Sequence, residues 1–501
     1  MAGTTVTLVG GLLLAFLAQK VWTIFYNFFL HPLAKFPGPP DVATGWYMCW
    51  QEVFKGRNRS DLLRELHAKH GDVVRVGPNE LHFARPTAYH EIYSPSNKWD
   101  KEETVYHSFG EDRSSFGFLT YREAKQRKDV LAPLFSKCAA LDLQGLVKKN
   151  IDRLCSAFTA ENAKGKSSDL HFGLKCFTMD TIMQYCFAKD THATEVPDFK
   201  DPMVVAMDAS LEGFVVFRHF ELVRKMVFAM PGWLAKLTNP VQGGRVDLMA
   251  MMWTQVQEVV RTPDTLQKTS HEIVYHRLLD PEANKVTGVP EPGSLFEEAL
   301  ALFFGAVDSS ANTFVLGTYR ILQNEEILRK LKEELRAAWP DPKVIPDAED
   351  LEKLPYLTAV IKESLRIAPS VAAPLPRIVP PTGATISGKH IPGGTIVGQS
   401  IGFVHNSAEV FPTPTHFDPD RWLQPNSALL EKWLVAFSKG PRACLGQNLA
   451  MSELYFAFAT LFRRFDVKLD GTREEDLKWR DCFLPHFGGK HLRAFCTPVV
   501  S

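Results

Sequence analysis

Phe437-Ser-Lys-Gly440-Pro-Arg442-Ala-Cys444-Leu-Gly446 decides how this chain is read. The stretch fits F-x-x-G-x-R-x-C-x-G, and an apolar helical pattern from Asn448 to Phe462 follows it directly. Its cysteine therefore stands where a glycine-containing loop meets a helix N-terminus. The positive end of the helix and the loop N–H groups favour the thiolate there. The glycines let backbone come close to the sulfur and to a flat group bound on it. Arg442 adds a permanent, forked cation, and Phe437 adds a ring that can shield the sulfur. A lone, shielded thiolate is what a haem iron takes as its proximal ligand. The other seven cysteines (Cys49, Cys138, Cys155, Cys176, Cys186, Cys482, Cys496) form no C-x-x-C pair and no zinc spacing. They read as small hydrophobes.

The stretch resembles the haem-binding signature of the cytochrome P450 family. That likeness implies haem b with Cys444 as the axial metal ligand, Arg442 on a propionate, and Phe437, Gly440 and Gly446 shaping the cofactor's bed. Three further stretches carry it. Glu363 and Arg366 lie three apart on a helix that ends before Pro369, so they share a face. With Arg421 of Pro419-Asp-Arg-Trp422 they match the family's E-x-x-R and P-E-R-[FW] elements, Asp420 standing where glutamate is commoner. The implied role is a buried structural network behind the cysteine loop. Gly305-Ala-Val-Asp308-Ser309-Ser310 is similar to [AG]-G-x-[DE]-T-[TS], which makes Asp308 and Ser309 the expected catalytic pair. Ser309 would hydrogen-bond the oxygen ligand at the iron and Asp308 would relay protons. Ala306 replaces the usual glycine, and Ser309 the usual threonine, whose methyl would fix the rotamer. Pro374-Leu-Pro-Arg377 is similar to the element that supplies a propionate arginine, so Arg377 is expected on the cofactor. The family's W-x-x-x-R is broken: Ala124 and Lys128 occupy its two positions. Lys128, a point charge where the family has a forked arginine, or its neighbour Arg127 is expected to reach a propionate.

The whole chain is compatible with this. Its 501 residues are 45% apolar and 23% charged, enough for a large core. The formal charge is zero, which argues against a nucleic-acid partner. Thr4 to Leu30 is almost wholly apolar, interrupted by Gln19 and Lys20, and is long enough to cross a bilayer. Positive residues follow the segment and none precedes it, which predicts an uncleaved anchor with a cytosolic domain behind it. Phe36-Pro-Gly-Pro-Pro40 ends that helix. The expected organisation is an anchor over 1–30, a proline-rich hinge over 31–40 and one catalytic domain over 41–501.

Periodicity predicts a mainly α architecture with small β regions, which agrees with the cytochrome P450 fold. Expected elements are a helix over 60–70, two strands around Gly77-Pro-Asn79, a helix from a Ser294/Glu297 capping box to Leu322, and helices over 326–339 and 351–367. Strand-like stretches separated by a Pro-Gly-Gly turn follow over 386–399. The 294–322 helix is apolar nearly all round, as a buried central helix must be.

The resemblance is strongest to fungal enzymes of secondary metabolism of the trichodiene-oxygenase-like group, on His31-Pro-Leu-Ala-Lys-Phe-Pro-Gly-Pro-Pro and Gly71-Asp-Val-Val-Arg-Val-Gly-Pro-Asn-Glu-Leu-His. It implies a monooxygenase that places one atom of dioxygen into an apolar small molecule, a terpenoid or polyketide intermediate. Electrons would come from NADPH through cytochrome P450 reductase, with cytochrome b5 as a second donor, at the endoplasmic reticulum membrane. Phe116, Phe118, Phe303 and Phe304 are candidate pocket residues. Two other readings stand beside it. One is a haem-thiolate isomerase or dehydratase that needs no reductase, and the other is a non-catalytic haem sensor or carrier. Asp308 and Ser309 argue against the isomerase, whose chemistry needs no proton relay.

Overall fold

The computed structural model describes residues 2–499, with the side chains of 2–4 and 6–9 left aside. Met1 and residues 500–501, the outermost positions of the expected anchor and catalytic domain, lie outside the described residues. Two compact units form. One holds the chain up to Ile92 with Pro374–Gln399, and the other holds Tyr93–Ala373 with the chain from Ser400 onward.

In the first unit a helix over Ala2–Phe25 runs into a wider turn over Tyr26–Leu30. Gly10–Leu30 is long and apolar enough to cross a membrane and is almost wholly exposed. Its end is tied down: Asn27 Nδ2 donates to Ala43 O (3.0 Å), and Arg75 Nη1 donates to Asn27 O (2.9 Å). The proline-rich stretch lies against a strand, with Arg75 N donating to Pro37 O at 2.8 Å. A Cβ on Gly38 would sit 2.3 Å from Arg75 O, so only glycine fits this crossing.

The helix Arg59–His70, capped by the Asn58 side chain, then precedes strands Val73–Gly77 and Glu80–Phe83. These pair antiparallel with Val73 opposite Phe83. Ile396–Gly398 adds parallel to the second strand, and Arg377–Ile378 adds antiparallel to Ile396–Gly398. The expected strand region resolves into a hairpin, Ala384–Ile386 with Lys389–Ile391, and the sheet strand Ile396–Gly398.

The second unit is helical. Its centre is the 31-residue helix Pro292–Leu322, whose buried face includes Leu295, Phe303, Val307, Ala311, Phe314 and Ile321. Burial of this length of apolar helix, rather than intrinsic propensity, is what holds it. It packs most extensively on Leu170–Phe187, a helix buried along its whole length. Pro202–Phe217, Gly243–Arg261, Pro355–Ile367 and Gln447–Arg464 complete the surround. The expected Ser294 capping box is not formed. Pro292 takes the first helical position, where a missing N–H costs nothing, so the helix starts two residues early. Ser294 instead donates to Arg113 O (2.7 Å), and Glu297 pairs with Arg113. The expected 351–367 helix is broken at Lys353–Leu354, because Pro355 opens a new helix.

Candidate functional site

Gln447–Arg464 begins three residues after Cys444 because Gly446 serves as its N-cap. The loop before it is closed by Cys444 N donating to Phe437 O (2.8 Å). Gly440 turns the loop at φ +72°, and a Cβ there would lie 2.6 Å from Tyr93 O and 2.9 Å from Ser94 O. Position 440 therefore needs glycine twice over, for the left-handed backbone and for the close approach.

Two cations hold the same loop. Lys128 Nζ donates to Ala443 O (2.6 Å) and lies 3.5 Å from Pro441 O. Arg442 donates through Nη1 to Phe118 O (3.1 Å) and through Nη2 to Leu119 O (3.0 Å). Arg127, the expected alternative to Lys128, faces elsewhere. It pairs with the buried Glu298 (2.9 Å), donates to Ser294 Oγ and stacks on Phe118. In the first unit Arg377 is buried, with Nη1 donating to Pro376 O (3.0 Å).

Cys444 presents open surface, although protein surrounds it closely enough that burial pushes its thiol up. The Gly446 N–H and the Lys128 ammonium pull the thiol the other way. Sequence predicts a lowered thiol, and in the folded chain desolvation outweighs these two donors. A metal cation at the sulfur reverses that balance, because a coordinating thiol is deprotonated outright. On the central helix Gly305 is likewise exposed, and a Cβ there, as on Gly446, would meet nothing within 4 Å. An accessible cysteine, with no atom within 4 Å of a Cβ placed on Gly446 two residues on, leaves room for a cofactor against the loop.

Near Gly305 the central helix carries the expected catalytic pair. Ser309 is half-buried and its hydroxyl donates back to Gly305 O (3.2 Å). Asp308 points the other way, into protein, with Oδ1 2.6 Å from Lys175 Nζ on Leu170–Phe187. Phe303 is fully buried core, whereas Phe304 is half-buried. Phe116 joins Phe109, Phe214 and Phe483 in an aromatic cluster, and Phe483 turns the Trp479–Cys482/Leu484–Phe487 hairpin at φ +73°.

The expected three-member network is assembled and larger than the sequence implies. The fully buried Glu363 accepts from Arg366 Nε (2.9 Å) and Nη2 (2.7 Å), Arg421 Nε (3.3 Å), Trp422 Nε1 (2.9 Å) and Asp418 N (2.9 Å). Arg366 also donates to the carbonyls of His405, Pro414 and His416. His405 passes the restraint on, since its Nε2 accepts from Val435 N (2.9 Å), two residues before Phe437. Burial and the Arg366 charge push the His405 ring down to about 3, so it stays neutral and can accept. Asp420, which stands outside this network, pairs with Lys330 (2.8 Å) at the surface.

Sequence reasoning missed Lys175 and Glu453. Glu453 lies on Gln447–Arg464, is buried, and its carboxyl bonds Ser310 on the central helix. Burial pushes it up to about 8, so it is a neutral acid at pH 7. An isolated acid in an apolar helix was the available signal for both sites, but the partners lie more than a hundred residues away in sequence.

Known proteins bear on this geometry. The family model for Cytochrome P450 matches residues 37–486. The chain is 33% identical to Cytochrome P450 monooxygenase flvC of Aspergillus flavus, over 98% of this chain and 96% of that protein. It is 36% identical to Cytochrome P450 monooxygenase macH of Penicillium terrestre, over 93% of each. It is 34% identical to Cytochrome P450 monooxygenase tpcC of Cochliobolus heterostrophus, over 88% of this chain and 85% of that protein. A match spanning nearly the whole chain, laid over a cysteine loop and central helix of this geometry, makes the protein a member of the cytochrome P450 family.

Proposed function

We propose that the protein is a haem-thiolate monooxygenase whose iron is held by Cys444 and whose substrate is an apolar small molecule, a terpenoid or polyketide intermediate. The observation that carries the reading is the cysteine loop: an accessible sulfur on a loop held by the Cys444 N–H to Phe437 O bond, by Lys128 and by Arg442. Bound haem supplies the reductive splitting of dioxygen, one atom going to the substrate and the other leaving as water. The chain's own residues do the rest. Cys444 offers the sulfur, and the Gly446 N–H steadies its charge. Phe437 closes the loop over it, and Arg442 and Arg377 are the cations for the propionates. Lys128 serves the loop carbonyls, and through them the sulfur's position. Ser309 presents a hydroxyl beside Gly305, and Asp308 governs the proton that this hydroxyl passes on. The Glu363–Arg366–Arg421 network keeps the loop in register.

Electrons come from NADPH through a redox partner, which we assign to cytochrome P450 reductase with cytochrome b5 as a second donor. The apolar helix over 1–30 anchors the protein in the endoplasmic reticulum membrane, 31–40 is the hinge, and 41–501 is the cytosolic catalytic domain. Leu222, Met226, Trp233 and Leu237, all about two-thirds or more exposed (72%, 65%, 69% and 72%), support a second contact with the bilayer.

The test is the carbon monoxide difference spectrum of the dithionite-reduced protein. Wild type is expected to give the strongly red-shifted band of a thiolate-ligated haem, and Cys444→Ser to lose it. An unshifted band from folded, haem-loaded wild type would remove the chemical basis of the assignment. With the band in hand, NADPH and reductase should drive oxygen uptake only when an apolar substrate is added.

A further inference from the structure

Residues 110–120 form no helix or strand, yet this strap is held at both ends. One end is stapled to the first two turns of Pro292–Leu322. Glu298, fully buried on that helix, accepts from Ser115 N (2.7 Å) and from Ser115 Oγ (2.6 Å). Arg127 Nη1 donates to the same carboxylate at 2.9 Å and supplies its counter-charge. One position earlier, Glu297 accepts from Arg113 N (2.5 Å) and Arg113 Nε (2.8 Å), and Ser294 donates to Arg113 O (2.7 Å). The strap is thus gripped by its backbone as well as its side chains. Bonds to an ionised carboxylate are the short, strong ones.

The other end belongs to the cysteine loop. Phe118 O and Leu119 O accept from the guanidinium of Arg442, two residues before Cys444. Between the two ends stands Phe116, half-buried. Its carbonyl accepts from Lys101 Nζ (2.5 Å). Its ring centroid lies 5.3 Å from that of Tyr106, 5.7 Å from Phe109 and 5.8 Å from Phe483. The Phe118 ring, by contrast, is covered by Arg127. Glu298 and Gly305 are seven residues apart, about two turns, so the staple and the exposed glycine share one face of the central helix. The strap runs from that face to the loop that carries the sulfur, with the Phe116 ring at its middle. All three donors to Glu298 come from the strap or from Arg127, so what this carboxylate controls is where the strap stands.

We propose that Glu298 is a positioning residue for ligand choice: through Ser115 it fixes Phe116, and the Phe116 ring sets how large a molecule fits beside the iron. This rests on the reading that Cys444 holds haem.

Two probes test it, imidazole and 1-phenylimidazole, which both bind iron through an imidazole nitrogen and differ by one phenyl ring. Their dissociation constants are read from the Soret shift of the full-length, haem-loaded protein. The ratio of the two reports the wall of the site and not the iron. Phe116→Ala is expected to change that ratio about tenfold, the lower end of what one carbon is worth in an apolar pocket. Glu298→Met, which strips both bonds from Ser115, should change it in the same direction. Adding Phe116→Ala to Glu298→Met should then change it by no more than about twofold, the margin of additivity. Glu298→Gln should keep the wild-type ratio, because its amide oxygen still accepts from Ser115 N and its NH2 can donate to the Ser115 hydroxyl. Ser115→Ala combined with Glu297→Ala loosens the strap and leaves Arg127 its counter-charge, so it serves if Glu298→Met does not fold. A merely structural role would lower haem content and leave the ratio alone. The proposal is overturned by a wild-type ratio in Phe116→Ala or in the loosened variants, by changes that add, or by Glu298→Gln matching Glu298→Met. A normal carbon monoxide band with an unmoved ratio sinks this proposal alone. Loss of that band in wild type sinks the function reading before any probe is added.

Discussion

Glu363→Gln is the substitution that tests the network most directly. The carboxylate accepts five hydrogen bonds, three on Oε1 and two on Oε2. A glutamine amide turns one of those oxygens into a donor. If the NH2 lies on the Oε2 side, Arg366 Nε–H and Trp422 Nε1–H lose their acceptor and face another donor; on the Oε1 side three donors do. In either rotamer two buried guanidinium groups also lose their counter-charge. Breaking a buried ion pair at one partner costs about 3–5 kcal/mol. Arg366 keeps three backbone carbonyl acceptors, which places the expected loss near the lower end, about 3 kcal/mol. Against a total stability of roughly 5–15 kcal/mol, that is a large fraction. The assay is urea titration of the carbon monoxide-bound band, with wild type and variant matched in haem content. The expected result is a clear fall in the midpoint, with Arg366→Met similar and the double variant far less than the sum. A midpoint within roughly 0.5 kcal/mol of wild type, as for an ordinary surface change, would refute the view that this carboxylate braces the cysteine loop.

Four further outcomes follow from named contacts. Gly440→Ala should lower haem content, since the left-handed backbone alone costs about 1–2 kcal/mol and the added Cβ drives Tyr93 and Ser94 away; the haem-to-protein absorbance ratio checks it. Lys128→Met removes the donor to Ala443 O and should speed haem transfer to apomyoglobin, through a loss of about 1–3 kcal/mol at the loop. Burial pushes the Glu453 carboxyl up to about 8 from an ordinary value of 4.5, so the native state binds the extra proton between those values. Its contribution is full below about 4.5 and is lost as pH rises to about 8, and Glu453→Gln should flatten that decline in denaturant midpoint. The full chain is expected to resist carbonate extraction from membranes, and deleting residues 2–25, which spares Asn27 and its bonds to Ala43 and Arg75, should make it extractable with its carbon monoxide band kept.

The cysteine loop and the Glu363–Arg366–Arg421 network were legible because their residue types and spacings are dictated locally. A thiolate at a helix start and an i,i+3 ion pair need only neighbouring residues to be recognised. What escaped depends on distant partners. Lys128 is a cation near a loop in sequence terms, but its bond to Ala443 O spans 315 positions. Asp308 looks like a free acid until Lys175 arrives from a helix 133 residues upstream, the difference between those two positions. The Ser294/Glu297 pattern matched a capping box, but Pro292 and the claim of Arg113 on both side chains overrode it.

The three ties on the cysteine loop have a consequence for the order of events in maturation. Phe437 O, Ala443 O and the Arg442 side chain all find their partners within the polypeptide. The loop's conformational entropy is therefore given up during folding, and haem meets a sulfur that is already aimed. Binding then carries little ordering penalty. Leaving is slow for the same reason: the sulfur cannot swing off the metal unless the Phe437–Cys444 bridge and the Lys128 bond open together. Durability of the iron–sulfur bond in this protein is a property of the chain around it, and the exchange rate of haem measures how rarely that part of the chain comes apart.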